Sequence, residues 1–381
     1  MRSTKGILLT VLCSGISSPV YSREFSIPSH HAPSLAKFKN EFQRNLSVFG
    51  DLLRVRNPEI DRALEAPELT AVTAEFGSSV IDLSQLPRRS EVVRSSVVPW
   101  SSWYFPIKDK ELFSDPAGVS ATPLGKYDIF RKAKYRGQVL PSAVTLEAEA
   151  HNDSSASWEG YCDSWSIASL LMPEPTTAKV FKYTGGSVTF KVSDQKALIL
   201  KMYENMTPGT IRSYGQKFTG QEDSWIQPDL FPDQVHRFVE VMMFEQKKPF
   251  LMDHDPGPEI WTVPVYKANY NLSVVEGNPN AVNVVLYLYY AGSLTREEKS
   301  NVGTKEVMRE YRYTLFGKRN SLNQLEVESG VWTKSTSGVD SRRDHPDYFL
   351  SIPDPSAVKK ASKNEAITEK SVDLILGLPG V

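Results

Sequence analysis

The residue best suited to chemistry in this sequence is a cysteine, Cys162, in the segment SWEGYCDSWSIASLL (residues 157–171). Asp163 and Ser164, directly after it, are typical of the first turn of a helix. A cysteine at a helix N-terminus has a lowered pKa, and the thiolate is the form that attacks carbon. The pattern therefore predicts a nucleophile. The alternative is a small apolar side chain packed beneath aromatic rings.

The neighbours of Cys162 suit a cleft in which an acyl group is attacked. Gly160 allows the backbone to approach closely where N–H groups would stabilise an oxyanion. Trp158 and Trp165 would form walls that keep water away from a reactive acyl intermediate. We therefore predict that these three residues line the substrate cleft and its oxyanion site.

A cysteine nucleophile needs a base, and the candidates are the histidines of the chain. Three of them lie in a lead-in segment or a polar turn and are poor candidates: His30, His31 and His151. Three others stay open, because the base need only be near in space: His236, His254 and His345. Asp253, at the end of the predicted strand PFLMD, is positioned as a residue that would orient an imidazole.

The N-terminus, MRSTKGILLTVLCSGISSPVYSREF, combines basic residues, a short apolar run and small residues. This pattern is typical of a cleaved secretory signal, predicted over residues 1–22, so we expect a secreted or periplasmic protein. The run is too short to span a bilayer, and no later segment is apolar for long enough to be transmembrane. Cleavage would remove Cys13 and leave Cys162 as the single thiol, which favours a functional sulfur.

Charge and motif content exclude several other classes of protein. The 44 basic residues nearly balance the 45 acidic ones, so no nucleic-acid partner is predicted. The sequence has no Gly-rich phosphate loop, no Cys/His metal cluster and no internal repeat. We therefore predict no metal site and no cofactor. A calcium requirement and the oligomeric state stay open.

The arrangement of predicted elements gives an α+β fold with four segments. After the signal, residues 23–95 are predicted to be an N-terminal helical region, because residues 33 to about 75 have apolar positions at helical spacing. This region forms either a helical layer or a propeptide that covers an active site. Residues 96–352 contain helices followed by a run of alternating strands, which predicts a helical layer plus an antiparallel sheet. Residues 353–381 are charged and poor in aromatics, and are predicted to be a weakly ordered tail.

Several segments, in order, resemble one family. They are PWSSWYFP, PLGKYDIF, WEGYCDSWSIAS, VTFKVSDQKALILKMY, FPDQVHRFVEVMMF, FLMDHDPGPEIWTVPVY and GVWTKSTSGVDSRRDHPDYFLSIP. This series is similar to the transglutaminase-elicitor family, the papain-like cysteine acyltransferases of plant-pathogenic oomycetes and some Gram-negative bacteria. The resemblance runs from about residue 97 to 352 and implies a papain-like/transglutaminase-like fold for residues 96–352.

The resemblance implies roles for residues at matched positions. Cys162 would be the nucleophile, His236 the histidine of the family's helix and Asp253 its strand aspartate. His254 and His345 stay open as alternatives to His236.

One of the matched segments also contains a departure from the family. Trp261 falls on the tryptophan of the family's Glu-x-Trp-Asn-x-Pro-Val strand and is expected in the cleft. Thr262 stands where the family usually has asparagine. If that amide orients the histidine in the family, Asp253 would have to orient it in this chain, or the activity would be altered.

The implied function is that of a secreted transglutaminase, a protein-glutamine gamma-glutamyltransferase. The cysteine would form a thioester with a protein glutamine and pass the acyl group to a lysine or another primary amine. The partners would then be protein substrates, a glutamine donor and an amine acceptor. Two alternatives stay open: a cysteine peptidase or deamidase on the same scaffold, and a catalytically inactive papain-like protein that binds peptide or wall material.

Overall fold

The structure is a computed structural model that describes residues 67–206, 211–215, 230–254, 259–335, 338–341 and 344–378, with side chains from residue 71 onward. The predicted signal peptide and the N-terminal helices predicted before residue 67 lie outside the described residues, as do Cys13, His30 and His31. Within the described part of the chain, no helix is both long and apolar enough to cross a membrane.

The described helices are α1 (Pro67–Phe76), α2 (Pro123–Lys134), α3 (Ala143–Ala150), α4 (Cys162–Leu171), α5 (Val192–Met202), α6 (Pro232–Val239) and α7 (Glu369–Leu376). Helix α6 continues into a π-helical turn, Glu240–Glu245. Short 3-10 turns occupy Leu83–Gln85, Ile107–Asp109, Val119–Ala121 and Pro355–Ala357.

Side-chain caps explain where two of the helices around the site begin. The Thr122 hydroxyl accepts a hydrogen bond from Gly125 N at 3.0 Å and starts α2. Before α5, Asp194 accepts from Lys191 N at 2.7 Å. Helix α5 begins at Val192, and Ser193 and Asp194 lie in its first turn.

The described strands are β1 (Val80–Asp82), β2 (Arg88–Arg89), β3 (Val93–Arg94), β4 (Lys179–Tyr183), β5 (Gly186–Phe190), β6 (Arg212–Gly215), β7 (Phe250–Asp253), β8 (Thr262–Val275), β9 (Asn278–Ala291), β10 (Glu306–Arg319), β11 (Gln324–Trp332) and β12 (Tyr348–Ser351). β4 and β5 form a separate hairpin. The main sheet is antiparallel, in the order β1-β11-β10-β9-β8-β7-β12-β6, and β2 and β3 also pair with β8.

The register of the central strands brings polar residues side by side near the site. Asp253 of β7 lies opposite Thr262 of β8, and Tyr348 of β12 lies opposite Asp253 on the other side. Directly paired residues place their side chains on the same face of a sheet. A row of three hydrogen-bonding side chains therefore crosses β12, β7 and β8.

Two hydrophobic clusters hold the domain together. One lies on the sheet and includes alternate residues of β9, such as Leu286 and Leu288, both with no exposed surface. The other packs the helices together and includes Tyr127 of α2 and Leu198 of α5. Helix α4 lies against the sheet, and Ser166 Oγ donates to the Thr262 carbonyl at 2.7 Å. The observed architecture confirms the predicted α+β class.

Residues 67–94 are integrated into the sheet and its core. Val72 of α1 and Ile81 of β1 are fully or almost fully buried in the sheet cluster. β1 pairs with β11, and β2 and β3 pair with β8. Removing residues 67–94 would therefore uncover core residues and strand edges.

The C-terminal segment differs from the weakly ordered tail expected after residue 352. Its apolar side chains pack into the helical cluster, where four are at most 5% exposed: Ala366, Ile367, Val372 and Ile375. Thr368 N donates to Tyr127 Oη at 2.9 Å, and Tyr127 Oη donates to the Ala366 carbonyl at 3.1 Å. The prediction was wrong because it gave more weight to the charge of this segment than to its few apolar residues, which pack into the helical cluster.

Candidate active site

Cys162 is the first residue of α4 and lines a cavity. Tyr161 is the N-cap residue, and its carbonyl accepts the hydrogen bond of Trp165 N at 2.9 Å. The Cys162 side chain is buried, with 7% of its surface exposed. The cavity has a volume of about 150 Å³, and its lining includes Cys162, His254 and four aromatic side chains, Tyr104, Trp165, Trp261 and Tyr290.

The sulfur of Cys162 lies over the start of β8. The backbone N–H groups of Thr262 and Asp163 donate hydrogen bonds to it, and the thiol donates to the Ile260 carbonyl at 3.6 Å. Burial, followed by the Asp163 carboxylate, raises the pKa of the Cys162 thiol well above its ordinary range; the two N–H groups oppose this shift and the Asp253 carboxylate adds to it. The direction is opposite to that expected from the helix N-terminus, because burial outweighs the N–H groups.

His254 lies one residue beyond the end of β7 and lines the same cavity as Cys162. Its ring stacks on Tyr290 of β9, with the ring centres 5.6 Å apart and the planes at 19°. Its backbone carbonyl accepts a hydrogen bond from Arg309 Nη1 at 3.2 Å. Of the three histidines left open by the sequence, His254 is the one that the structure brings into the cavity of the cysteine.

His236 and His345 lie elsewhere. His236 is buried on α6, with its Nδ1 2.9 Å from Tyr313 Oη and its Nε2 3.5 Å from Glu240. His345 stacks on Trp332, with the ring centres 5.0 Å apart, and its Nδ1 lies 2.9 Å from the Ser341 carbonyl oxygen. Neither lines the cavity. The role that the resemblance implied for His236 is therefore not supported by its position, because α6 packs this ring into the sheet core.

Asp253 is fully buried beside the site. Its Oδ1 accepts a hydrogen bond from Trp261 N at 3.0 Å, so the carboxylate fixes the backbone that leads into β8. Burial, followed by the carboxylates of Asp163 and Asp253, raises the pKa of the neighbouring Tyr348 above its usual range. Asp253 thus lies near the Cys162 sulfur and directly before His254, between Tyr348 and Thr262 in the sheet.

The predicted cleft residues divide into two groups. Trp165 and Trp261 line the cavity. The Trp165 indole donates to the Trp100 carbonyl at 2.8 Å, and the Trp261 indole donates to Glu259 at 2.8 Å. Trp158 is half-buried outside the cavity lining.

Gly160 is required for a close approach between two segments of the chain. A Cβ at this position would lie 2.4 Å from the Tyr104 ring and 2.9 Å from the Tyr104 carbonyl oxygen. Tyr104 also accepts a hydrogen bond from Tyr161 N at 2.7 Å, which joins the two segments directly before the nucleophile. The glycine therefore lets Tyr104 reach the cavity wall.

Tyr104 and Tyr290 are cavity residues that the sequence did not single out. Tyr104 lies in the PWSSWYFP segment, whose aromatic content was a usable signal, and its ring meets Trp261 edge-on at 5.6 Å. Tyr290 lies in the strand pattern VNVVLYLYYAG, where tyrosine at alternate positions carries no functional signal. Within the described part of the chain, no group of three or more His, Cys, Asp or Glu residues is arranged to hold a metal ion.

The chain has an α+β fold, and its cavity contains a cysteine, a histidine and aromatic side chains. The structure is similar to the crystal structure of the GP42 transglutaminase from Phytophthora sojae, with a TM-score of 0.56 and 18% sequence identity, over 81% of this chain and 96% of that one. The transglutaminase elicitor family model matches residues 143–283, a range that includes Cys162 and His254. The resemblance predicted from the sequence is thereby confirmed. No curated protein sequence matches the chain significantly.

Proposed function

We propose that this transglutaminase-like protein is a cysteine acyltransferase that joins a glutamine side chain to a primary amine. The observation that carries the proposal is that Cys162 and His254 line the same cavity, together with aromatic side chains. The family match over residues 143–283 supports the choice of acyl transfer among cysteine chemistries. The role of the base then passes from His236 to His254.

The first half-reaction forms a thioester. Because burial raises the pKa of Cys162, the thiol is the resting form at neutral pH, and its proton moves to the His254 ring as the sulfur attacks the carboxamide carbon. The carbon–nitrogen bond then breaks, and the imidazolium returns the proton to the leaving ammonia. The products are the Cys162 thioester and free ammonia.

The second half-reaction transfers the acyl group to the acceptor. A neutral primary amine attacks the thioester carbon while His254 takes the amine proton. The carbon–sulfur bond breaks, the proton passes to the sulfur, and an isopeptide forms. Tyr104 and Trp261 shield the thioester from water, which favours the amine over hydrolysis.

Hydrolysis on the same residues is the alternative outcome of this chemistry. With water as the acceptor, the thioester gives a deamidated glutamine or, from a backbone amide, a cleaved peptide. From the aromatic walls of the small cavity, we infer that acyl transfer to an amine is preferred over hydrolysis. Release of ammonia or peptide fragments without amine incorporation would identify the hydrolytic alternative.

A second candidate function, binding without catalysis, is favoured by one observation. Cys162 is buried, with 7% of the residue exposed, and the pKa of its thiol is raised, so the thiolate is scarce before a ligand enters. A protein that only binds peptide or wall material needs no thiolate. This candidate predicts that Cys162→Ala leaves ligand binding intact and that no substrate-dependent chemistry occurs.

The test is amine incorporation into a glutamine donor peptide by the full chain. We expect labelled amine in the donor with the natural protein and none with Cys162→Ala. His254→Gln should lower the rate about a hundredfold or more, within the range contributed by a general base. His236→Gln is the matched control and should retain the rate per folded molecule. Equal loss in both histidine variants would refute the assignment of the base.

We also propose that the protein acts outside the cytoplasm, on protein substrates exported with it. The support is the signal-like pattern of residues 1–22. The N-terminal residue of the protein recovered from its native compartment tests this. A start near residue 23 agrees with export, and retention of Met1 in the cytoplasm contradicts it.

A further inference from the structure

Arg309 occupies an unusual position for a charged side chain. It lies on β10 between Val307 and Tyr311, and alternate residues of a strand face the same side of a sheet. Val307 lines the cavity and Tyr311 has no exposed surface, so Arg309 faces inward toward the site. A cation on a buried face is costly unless it has specific partners.

Arg309 contacts both residues of the stacked pair in the site, His254 and Tyr290. Its Nη1 donates to the His254 carbonyl at 3.2 Å. The guanidinium also opposes the rise in the pKa of Tyr290 caused by burial, through its charge and a hydrogen bond to that side chain. The Tyr290 ring is in turn stacked against the His254 ring. One side chain therefore contacts both the backbone of His254 and the ring beneath it.

Asp344 fixes the guanidinium in this arrangement. It forms an ion pair with Arg309 Nη1. Asp344 is 57% exposed, whereas the Arg309 side chain is 27% exposed, so the carboxylate holds the arginine from the solvent side. Arginine presents several N–H donors in a rigid plane and can serve three partners at once, which a lysine ammonium on a flexible stem does poorly.

We propose that Arg309, held by Asp344, is the positioning residue that fixes His254 against Tyr290 for proton exchange with Cys162. His254 lies beyond the end of β7, where the sheet ladder no longer sets its backbone. Arg309, on β10, holds the His254 backbone there through its hydrogen bond to the carbonyl. The expected effect on kcat rests on the proposed function. The position of His254 relative to Cys162 can be tested without turnover.

The first experiment compares Arg309→Lys with a matched control, Arg312→Lys. Arg312 lies on the opposite face of the same strand, is 30% exposed, and is also paired with a carboxylate, that of Glu310. We expect Arg309→Lys to lower kcat about tenfold to a hundredfold with KM nearly unchanged, as for a misplaced catalytic group. Arg312→Lys should stay near the natural rate. Rates are divided by the fraction of molecules whose Cys162 can be titrated, so that misfolded protein does not count.

The partner carboxylates provide a second comparison. Asp344→Asn should lower kcat in the same direction as Arg309→Lys, whereas Glu310→Gln should not. If the four variants have the same kcat per titrated site, Arg309 is only structural and the inference is overturned.

The second experiment measures the alkylation of Cys162 against pH, which needs no acyl transfer. Arg309→Met removes a positive charge near His254, which favours the imidazolium, so the inflection that reports His254 should move to higher pH. Arg309→Lys retains the charge, so a change of its profile relative to Arg312→Lys reports a displaced imidazole. The other charged or titratable groups around the imidazole are unchanged in these variants: Cys162, Asp163, Asp253, Glu259, Tyr290 and Asp344.

The two experiments separate the inference from the proposed function. If the natural protein incorporates amine and the Arg309 variants match the Arg312 control, the function stands and the inference fails. If the natural protein shows no transfer, the function fails. The alkylation profile then decides the inference alone: a profile that changes in Arg309→Lys but not in Arg312→Lys supports it, and matching profiles overturn it.

Discussion

The replacement Asp163→Asn gives the sharpest test of how the site controls its sulfur. After burial itself, the Asp163 carboxylate is the largest contribution that raises the pKa of the Cys162 thiol. The backbone N–H of the same residue donates to the sulfur and lowers that pKa. Asparagine removes the charge, keeps the N–H, and has nearly the shape of aspartate, so the variant isolates the electrostatic contribution.

The size of the effect follows from charge and nucleophilicity together. A like charge within about 6 Å disfavours the ionised form by a factor of about ten or more. We use the lower bound, because Asp163 is only half-buried and water screens it. The thiolate population should therefore rise about tenfold, while each thiolate becomes about threefold less nucleophilic as its pKa falls. The net alkylation rate at fixed pH should rise about threefold.

The assay is the rate of Cys162 alkylation by iodoacetamide from pH 6 to 10, followed by mass spectrometry. We expect the Asp163→Asn curve to lie above that of the natural protein at neutral pH and to level off at lower pH. Asp253→Asn should change the rate less, because its carboxylate is the smaller contribution. Glu328→Gln, on the exposed side of β11, removes an equal charge far from the sulfur and serves as the control. An unchanged or slower rate in Asp163→Asn would refute this account of the site.

Three further predictions test the fold and the cavity. Tyr161→Phe removes a buried hydroxyl that donates to Glu147 at 3.0 Å, and should lower the free energy of unfolding in urea by about 1–2 kcal/mol. Because burial raises the pKa of Cys162 in the folded protein, the stability that its thiol contributes is present below about pH 8.5 and is lost above it, by up to about 1.4 kcal/mol per pH unit. In denaturation series, the difference in free energy of unfolding between the natural protein and Cys162→Ser should therefore shrink above about pH 8.5. Trp261→Ala opens the cavity to water, and the ratio of released ammonia to incorporated amine should rise in a coupled assay; an unchanged ratio would contradict the shielding role.

Much of the fold followed from local patterns. A strand, a turn, a strand and a helix can be predicted over residues 180–205 from a Gly-Gly turn and a Ser-Asp helix cap, and the structure contains all four. The long hairpin of β8 and β9 can be predicted from alternating residues and the turn EGNPNA between them. These elements were predictable because hydrophobic periodicity and turn chemistry act over a few neighbouring residues.

The choice of the histidine was not predictable in the same way. His236 and His254 both follow patterns suited to an active site, and only the packing of α6 on the sheet shows that His236 faces the core. The raised pKa of Cys162 was missed for a similar reason. The helix N-terminus is visible in the sequence, whereas burial and the approach of Asp253 depend on strands far along the chain.

The row of Tyr348, Asp253 and Thr262 is a further example. Its members are separated by up to 95 positions in the sequence and become neighbours only through the order of β12, β7 and β8. Arg309 likewise reaches His254 only through the sheet. Such contacts have no local signal, because any charged residue within a strand predicts an exposed face first.

The most direct test of the central claim is a search for the thioester itself. The full chain is incubated with a glutamine donor peptide without any amine, acidified, and analysed by mass spectrometry. The account predicts an adduct of the peptide minus one ammonia on Cys162, formed slowly in His254→Gln and absent from Cys162→Ala. An unmodified Cys162 in a protein that still binds the donor peptide, or an adduct on another residue, would contradict it.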